Sequence, residues 1–127
     1  MRHNFSVWID HDEARIFGIS SSEADRTAIE DGRPKHHIHR KADHVGLGNE
    51  TMSPQFLGEV ALALQPSRAI LIGGPDRART ELAGYLNDKY PAIAKRIWAI
   101  EPMDHPTDAE LVAAARKYFQ AAKRMHQ

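Results

Sequence analysis

The run Ala69-Ile70-Leu71-Ile72, closed by Gly73-Gly74-Pro75, constrains the fold of this chain more than any other stretch. Consecutive apolar residues without polar alternation need apolar cover on both faces, the situation of a buried parallel strand. A parallel neighbour is reached only through a crossover, usually a helix. Helical periodicity does flank the run on both sides. Ahead of it, Ser53-Pro54 reads as an N-cap with proline at the first helical position, and Phe56, Leu57, Val60, Ala61 and Leu64 form one stripe stopped by Pro66. Behind it, Pro75-Asp76 opens a second helix with Ala78, Leu82, Tyr85 and Leu86 on one face, and Arg96-Ile97-Trp98-Ala99-Ile100 reads as another strand. Thr107-Asp108-Ala109-Glu110 is a capping box. It starts a long helix with the stripe Leu111, Val112, Ala115, Tyr118, Phe119 and Ala122, and with Lys123 and Arg124 toward the negative end of the dipole.

The first part of the chain follows a different period. Phe5 to Ile9 and Ala14 to Ile19 alternate and are joined by Asp10-His11-Asp12-Glu13, the pattern of an antiparallel hairpin. Residues 20–34 are polar, with a turn signal at Asp31-Gly32. Lys35 to Lys41 is expected to extend as a third, polar edge strand, and residues 42–52 to form an aperiodic glycine-containing loop. The expected order is βββ-α-β-α-β-α. It implies one α/β domain over residues 1–127: a mixed five-stranded sheet in the order 3-2-1-4-5, strands one, four and five parallel, with helices packed on it.

Composition excludes several classes. With 42% hydrophobic and 27% charged residues the chain is an ordinary globular sequence, and without cysteine it has neither disulfides nor thiolate chemistry. No apolar run approaches a membrane span, so a cytosolic protein without membrane contact is expected. Seventeen basic and seventeen acidic side chains cancel, which argues against a protein that coats duplex nucleic acid non-specifically.

Cations are nevertheless concentrated locally. Arg33, Lys35, His37, His39, Arg40, Lys41 and His44 lie beside Gly46, Gly48 and Asn49. Arginine and lysine beside a glycine loop suit phosphate contact, and histidines near their own pKa would strengthen it at lower pH. A polar edge strand that discourages aggregation accounts for the same residues. His37 and His39 would share a strand face and, with His44, Asp43 or His105, offer a weaker alternative as ligands for zinc or nickel. At the carboxyl ends of the parallel strands stand Asp10, Asp76 and Asp104, where ligands collect in open α/β sheets. Converging there, they would suit a divalent-metal nuclease or hydrolase, although each also fits a turn or cap. Gly73-Gly74-Pro75 lacks the Lys-Ser/Thr of a P-loop and reads as tight strand-to-helix packing, with Arg77 and Arg79 on the exposed side of the helix that follows. Trp8 and Trp98 read as core residues, and no serine sits at a nucleophile elbow.

Three segments carry a family resemblance: PKHHIHRK (34–41) followed by a glycine loop and helix, AILIGGPDRARTELAGYL (69–86), and EPMDHPTDAELVAAARKYF (101–119). They resemble the central domain of archaeal and eukaryotic peptide release factors and Pelota, and bacterial single-domain relatives labelled translational machinery proteins. The resemblance implies a ribonuclease-H-like topology and an association with translation. In release factors the loop before the first helix bears Gly-Gly-Gln, which implies hydrolysis of peptidyl-tRNA; here that loop reads HVGLGNE, and Gly-Gly-Gln occurs nowhere in the chain. Pelota also lacks the tripeptide and acts as a ribosome-rescue adaptor. The expectation is therefore a non-catalytic domain that needs no cofactor and meets RNA or the ribosome through residues 33–49. A metal-dependent nuclease and a pure protein-interaction module stand as alternatives, and no pattern here fixes an oligomeric state.

Overall fold

The computed structural model describes residues 4–20, 22–32 and 52–125. Strand β1 (Asn4–Ile9) turns tightly into β2 (Glu13–Ile19), and β3 (Ala24–Glu30) follows. Helix α1 (Pro54–Ala63), β4 (Ala69–Gly74), α2 (Ala78–Lys89), the short α3 (Pro91–Ala94), β5 (Ile97–Pro102) and α4 (Asp108–Met125) complete the order. The five strands form one sheet, β3-β2-β1-β4-β5, the predicted order. The β1–β2 and β2–β3 pairs are antiparallel, while β1–β4 and β4–β5 are parallel.

The continuous apolar run is buried on both faces as expected. Ile70 and Ile72 point into one core with Val7, Ile9, Phe56, Val60, Leu82 and Leu86, under α1, α2 and α3. Ala69 and Leu71 point the other way, toward Trp8, Phe17, Leu111, Ala115 and Phe119 under α4. Each large apolar side chain so buried contributes on the order of 2 kcal/mol. Of the stripe predicted for α1, every member from Phe56 to Leu64 is buried. In α4 Leu111, Ala115, Phe119 and Ala122 are buried, with Val112 and Tyr118 at the margin.

The third strand is a correction. The place beside β2 is taken by Ala24–Glu30, a stretch that reads as a polar connection, and not by Lys35–Lys41, which lies outside the described residues. Only Ile29 of this strand packs on the core, so no apolar alternation announces it. Its seven residues are ordered by backbone pairing along the whole of β2, from Glu13↔Glu30 to Ile19↔Ala24. Two smaller differences follow from local chemistry. Helix α2 starts at Ala78, because the Asp76 carboxylate takes the Ala78 N–H at 3.0 Å and holds the turn ahead of it. Pro91 also nucleates the extra turn α3 before β5.

The paired glycines at the end of β4 have a packing reason. A Cβ on Gly74 would collide with the backbone carbonyl of Ile9 in β1, and one on Gly73 would stand 2.6 Å from the sulfur of Met103. Backbone cannot yield as a thioether can. Gly74→Ala is therefore expected to lower stability by about 1–3 kcal/mol, and Gly73→Ala by clearly less. Urea unfolding of the two variants measures this, and equal losses would contradict it.

Candidate functional site

The rim of the sheet at the ends of β3 and α1 is where the chain departs into residues 33–51 and returns. Asp31, 3% exposed, donates its N–H to the Asp12 carbonyl at 2.9 Å. Its carboxylate accepts from the Ser53 N–H and from the Ser53 hydroxyl, both at 3.0 Å. The same hydroxyl oxygen accepts the Phe56 N–H at 3.1 Å, as an N-cap should. Met52, 4% exposed, is buried in the core beneath. One carboxylate thus clasps the two stems together at a cleft of about 370 Å³ whose mouth carries Glu30, Gln55 and Glu59. The residues predicted to meet RNA (Arg33, Lys35, His37, His39, Arg40, Lys41, His44, Gly46, Gly48 and Asn49) lie outside the described residues, and with them the alternative histidine metal site. Reading the sequence as a simple turn at Asp31-Gly32 missed the clasp. The available signal was the pair formed by Asp31 and a capping serine on either side of a polar segment.

Along the same rim, beyond the carboxyl ends of β1, β4 and β5, each candidate aspartate has its own local partner or exposure. Asp10 Oδ1 accepts the N–H groups of Asp12 and Glu13 at 2.8 and 2.9 Å, closing the hairpin turn. Asp76 caps the start of α2, and its other oxygen lies 3.5 Å from Nδ1 of His11. The second ring nitrogen of His11 lies 3.5 Å from Glu81 on α2. Asp104 is exposed and enters the architecture through its backbone, whose carbonyl accepts the indole N–H of Trp8 at 2.8 Å. Among the described residues no group of three or more histidine, aspartate or glutamate side chains is gathered to hold a metal ion. What the rim does contain, and sequence reading missed, is His11 bridging the β1–β2 turn to α2 between two carboxylates. Arg79 folds back instead of facing solvent, donating to the Gly74 and Asp76 carbonyls, while Arg77 is exposed as expected.

The α4 side of the sheet is fastened by an ion network. The Arg15 guanidinium lies over the Trp8 ring at 4.5 Å from its centroid, and donates to the Pro106 carbonyl at 3.1 Å and to Asp108 at 2.7 Å. Arg26 of β3 reaches the other Asp108 oxygen at 2.7 Å. The hydrogen bond from Arg15, reinforced by the charge of Arg26, holds the Asp108 carboxyl below its ordinary value. Trp8 is 1% exposed and lies in the core as expected, while Trp98 is half-buried and packs against the core, edge-on to Phe119 at 5.9 Å. Between the end of β5 and the start of α4 opens a cleft of about 530 Å³ lined by Glu101, Met103, His105 and Leu111. No described helix is long and apolar enough to cross a membrane.

This mixed sheet, with α4 on one face and the other helices on the opposite face, has the release-factor-like α/β fold found in translation termination-like proteins. In particular, it is similar to Archaeoglobus fulgidus Pelota, with a TM-score of 0.62 at 16% identity over 91% of this chain and 31% of that one. It is similar as well to an archaeal translation termination factor, aRF1, with a TM-score of 0.56 at 16% identity over 97% of this chain and 39% of that one. Dom34 of S. cerevisiae, a translation termination-like factor involved in RNA quality control, gives 0.52 at 13% identity over 97% of this chain and 38% of that one. The chain thus spans between three and four tenths of the length of these proteins, and at such identities the likeness is one of fold. No protein-family model and no curated protein matches the sequence.

Two outcomes follow from the fastenings. Ser53→Ala removes a cap and strips a buried carboxylate of one donor, so it is expected to cost about 2 kcal/mol in urea unfolding, against about 1 kcal/mol for Thr107→Ala at the exposed cap of α4. For Asp108 the folded carboxyl is depressed, so its contribution is present above the unfolded value and is lost as pH falls through the lower folded one. The carboxylate is 43% exposed and screened, so Asp108→Asn should cost only about 1 kcal/mol at pH 7. Stability profiles of parent and variant should then begin to draw together only below pH of about 4, and meet below the folded value. A gap that persists in acid would show that the carboxylate charge is not its source.

Proposed function

We propose that this chain is a non-catalytic, cytoplasmic, translation-associated domain that meets RNA or a ribosomal surface through residues 33–49, and that it is kin to the bacterial single-domain translational machinery proteins. The observation that carries this reading is the fold: nearly all of the chain matches translation-factor structures while little of the sequence does. Two further features support it. The Asp31–Ser53 clasp holds both stems of the cationic segment at one rim of the sheet, as a presented binding element requires. The chain also contains no Gly-Gly-Gln, so the chemistry that this tripeptide performs in release factors has no residues here to perform it.

Cationic contacts of this kind position a protein on phosphates without reading sequence, and their strength falls with salt. The protein is expected to co-sediment with ribosomes at low salt and to release no peptide from peptidyl-tRNA. Replacing Arg40 and Lys41 together by Ala should weaken co-sedimentation about tenfold or more and lower the salt slope by about two. If the parent protein does not sediment with ribosomes, or if it cleaves single-stranded RNA with magnesium and Asp10→Asn abolishes that cleavage, the reading fails.

A further inference from the structure

The two edges of the sheet are built differently. β3, at one edge, exposes Asp25, Arg26 and Glu30, and charged side chains of this kind keep a strand edge from pairing with another chain. β5, at the other, runs Ile97-Trp98-Ala99-Ile100 with no charge among them, and among the described residues no strand lies on its outer side. Ile97, Trp98 and Ala99 are half-buried and Ile100 is 39% exposed, one of the two large apolar side chains most open to solvent among the described residues.

Charge brackets this apolar run asymmetrically. Lys95 and Arg96 precede it, and Glu101 and Asp104 follow it. A second copy of β5 laid antiparallel would bring the basic end of each strand to the acidic end of the other, twice over. A parallel arrangement would set like against like. The irregularity in the β4–β5 pairing makes the match consistent face by face. Ile97 pairs with Ile70 and Ile100 with Ile72, so both isoleucines lie on the side of α1–α3. Trp98 and Ala99 both pack on the α4 side, and Glu101 pairs with Gly73 on that side too. An antiparallel register with Ile97 opposite Ile100, Trp98 opposite Ala99 and Arg96 opposite Glu101 therefore sets apolar against apolar and cation against anion. Arg96 keeps one nitrogen on the Gln65 and Ser67 carbonyls and has further N–H donors for a carboxylate.

We propose that the outer edge of β5 is a homodimer interface, in which two copies of this chain pair their β5 strands antiparallel about a twofold axis into one continuous sheet. Such an interface is self-complementary and closed, so it stops at two copies. It uses neither residues 33–49 nor the Asp31–Ser53 clasp, which lies across the sheet beside β2 and β3, so it stands or falls separately from the RNA reading.

Sedimentation equilibrium of the full chain from low to high micromolar concentration tests it. The mass should rise from 14.3 kDa toward twice that value. Ile100→Lys, which places a cation in the apolar run, and Glu101→Arg, which sets cation against cation, should each weaken association about tenfold or more. Both positions are exposed, and circular dichroism confirms that each variant folds. Ala28→Lys on the β3 edge should leave the dimer intact. A mass of 14.3 kDa at every concentration, a dimer indifferent to both β5 variants, or one broken only by Ala28→Lys would each overturn the proposal.

Discussion

The close approach of β1 and β4 is the contact on which the rest of the molecule depends. The two strands run parallel through the centre of the sheet, and Gly74 lets the Ile9 carbonyl come against the end of β4 where any side chain would hold it off. Because β1 is also one arm of the hairpin, this pairing joins the antiparallel half of the sheet to the crossover half. It also makes both faces of the centre apolar, which is why helices must cover both. Ile70 and Ile72 require α1 and α2, and Leu71 requires α4.

Around that centre the outer elements are held by a few polar fastenings between residues far apart in sequence. Asp31 ties the end of the meander to the start of α1. Arg15 and Arg26 share Asp108 and tie β2 and β3 to the start of α4, while the Trp8 indole takes the Asp104 carbonyl. His11 links the hairpin turn to α2. In each case a carboxylate or carbonyl that reads in sequence as a local turn or cap proves to be shared between elements. Asp10, Asp76 and Asp104 stand at the carboxyl ends of parallel strands, which suggested convergence. Yet Asp10 closes its own turn, Asp76 takes a backbone donor of α2 and lies beside His11, and Asp104 contributes through its carbonyl.

How much was legible depended on whether burial leaves a period in the sequence. Strands β1, β2, β4 and β5, the stripes of α1 and α4, the Ser53 cap and the reciprocal Thr107–Glu110 box were all readable, because each is defined by residues within a few positions of one another. β3 was not. With Ile29 alone against the core it carries no alternation, and its strand character comes from β2, a neighbour supplied by the fold. The candidate RNA segment was legible as composition, a cluster of cations beside glycines, but composition says nothing of where its stems are anchored.

From its own order of apolar and polar residues the chain determined the class of fold, the order of the strands and which of them run parallel. Those follow from local period and from the rule that a strand buried on both faces must be reached through helices. Only the tertiary structure decided which polar stretch became the third strand, which carboxylates would be shared, and which sheet edge was left apolar. These are questions of which distant groups meet, and the energies that answer them arise only once the core has brought those groups within a few ångströms of each other.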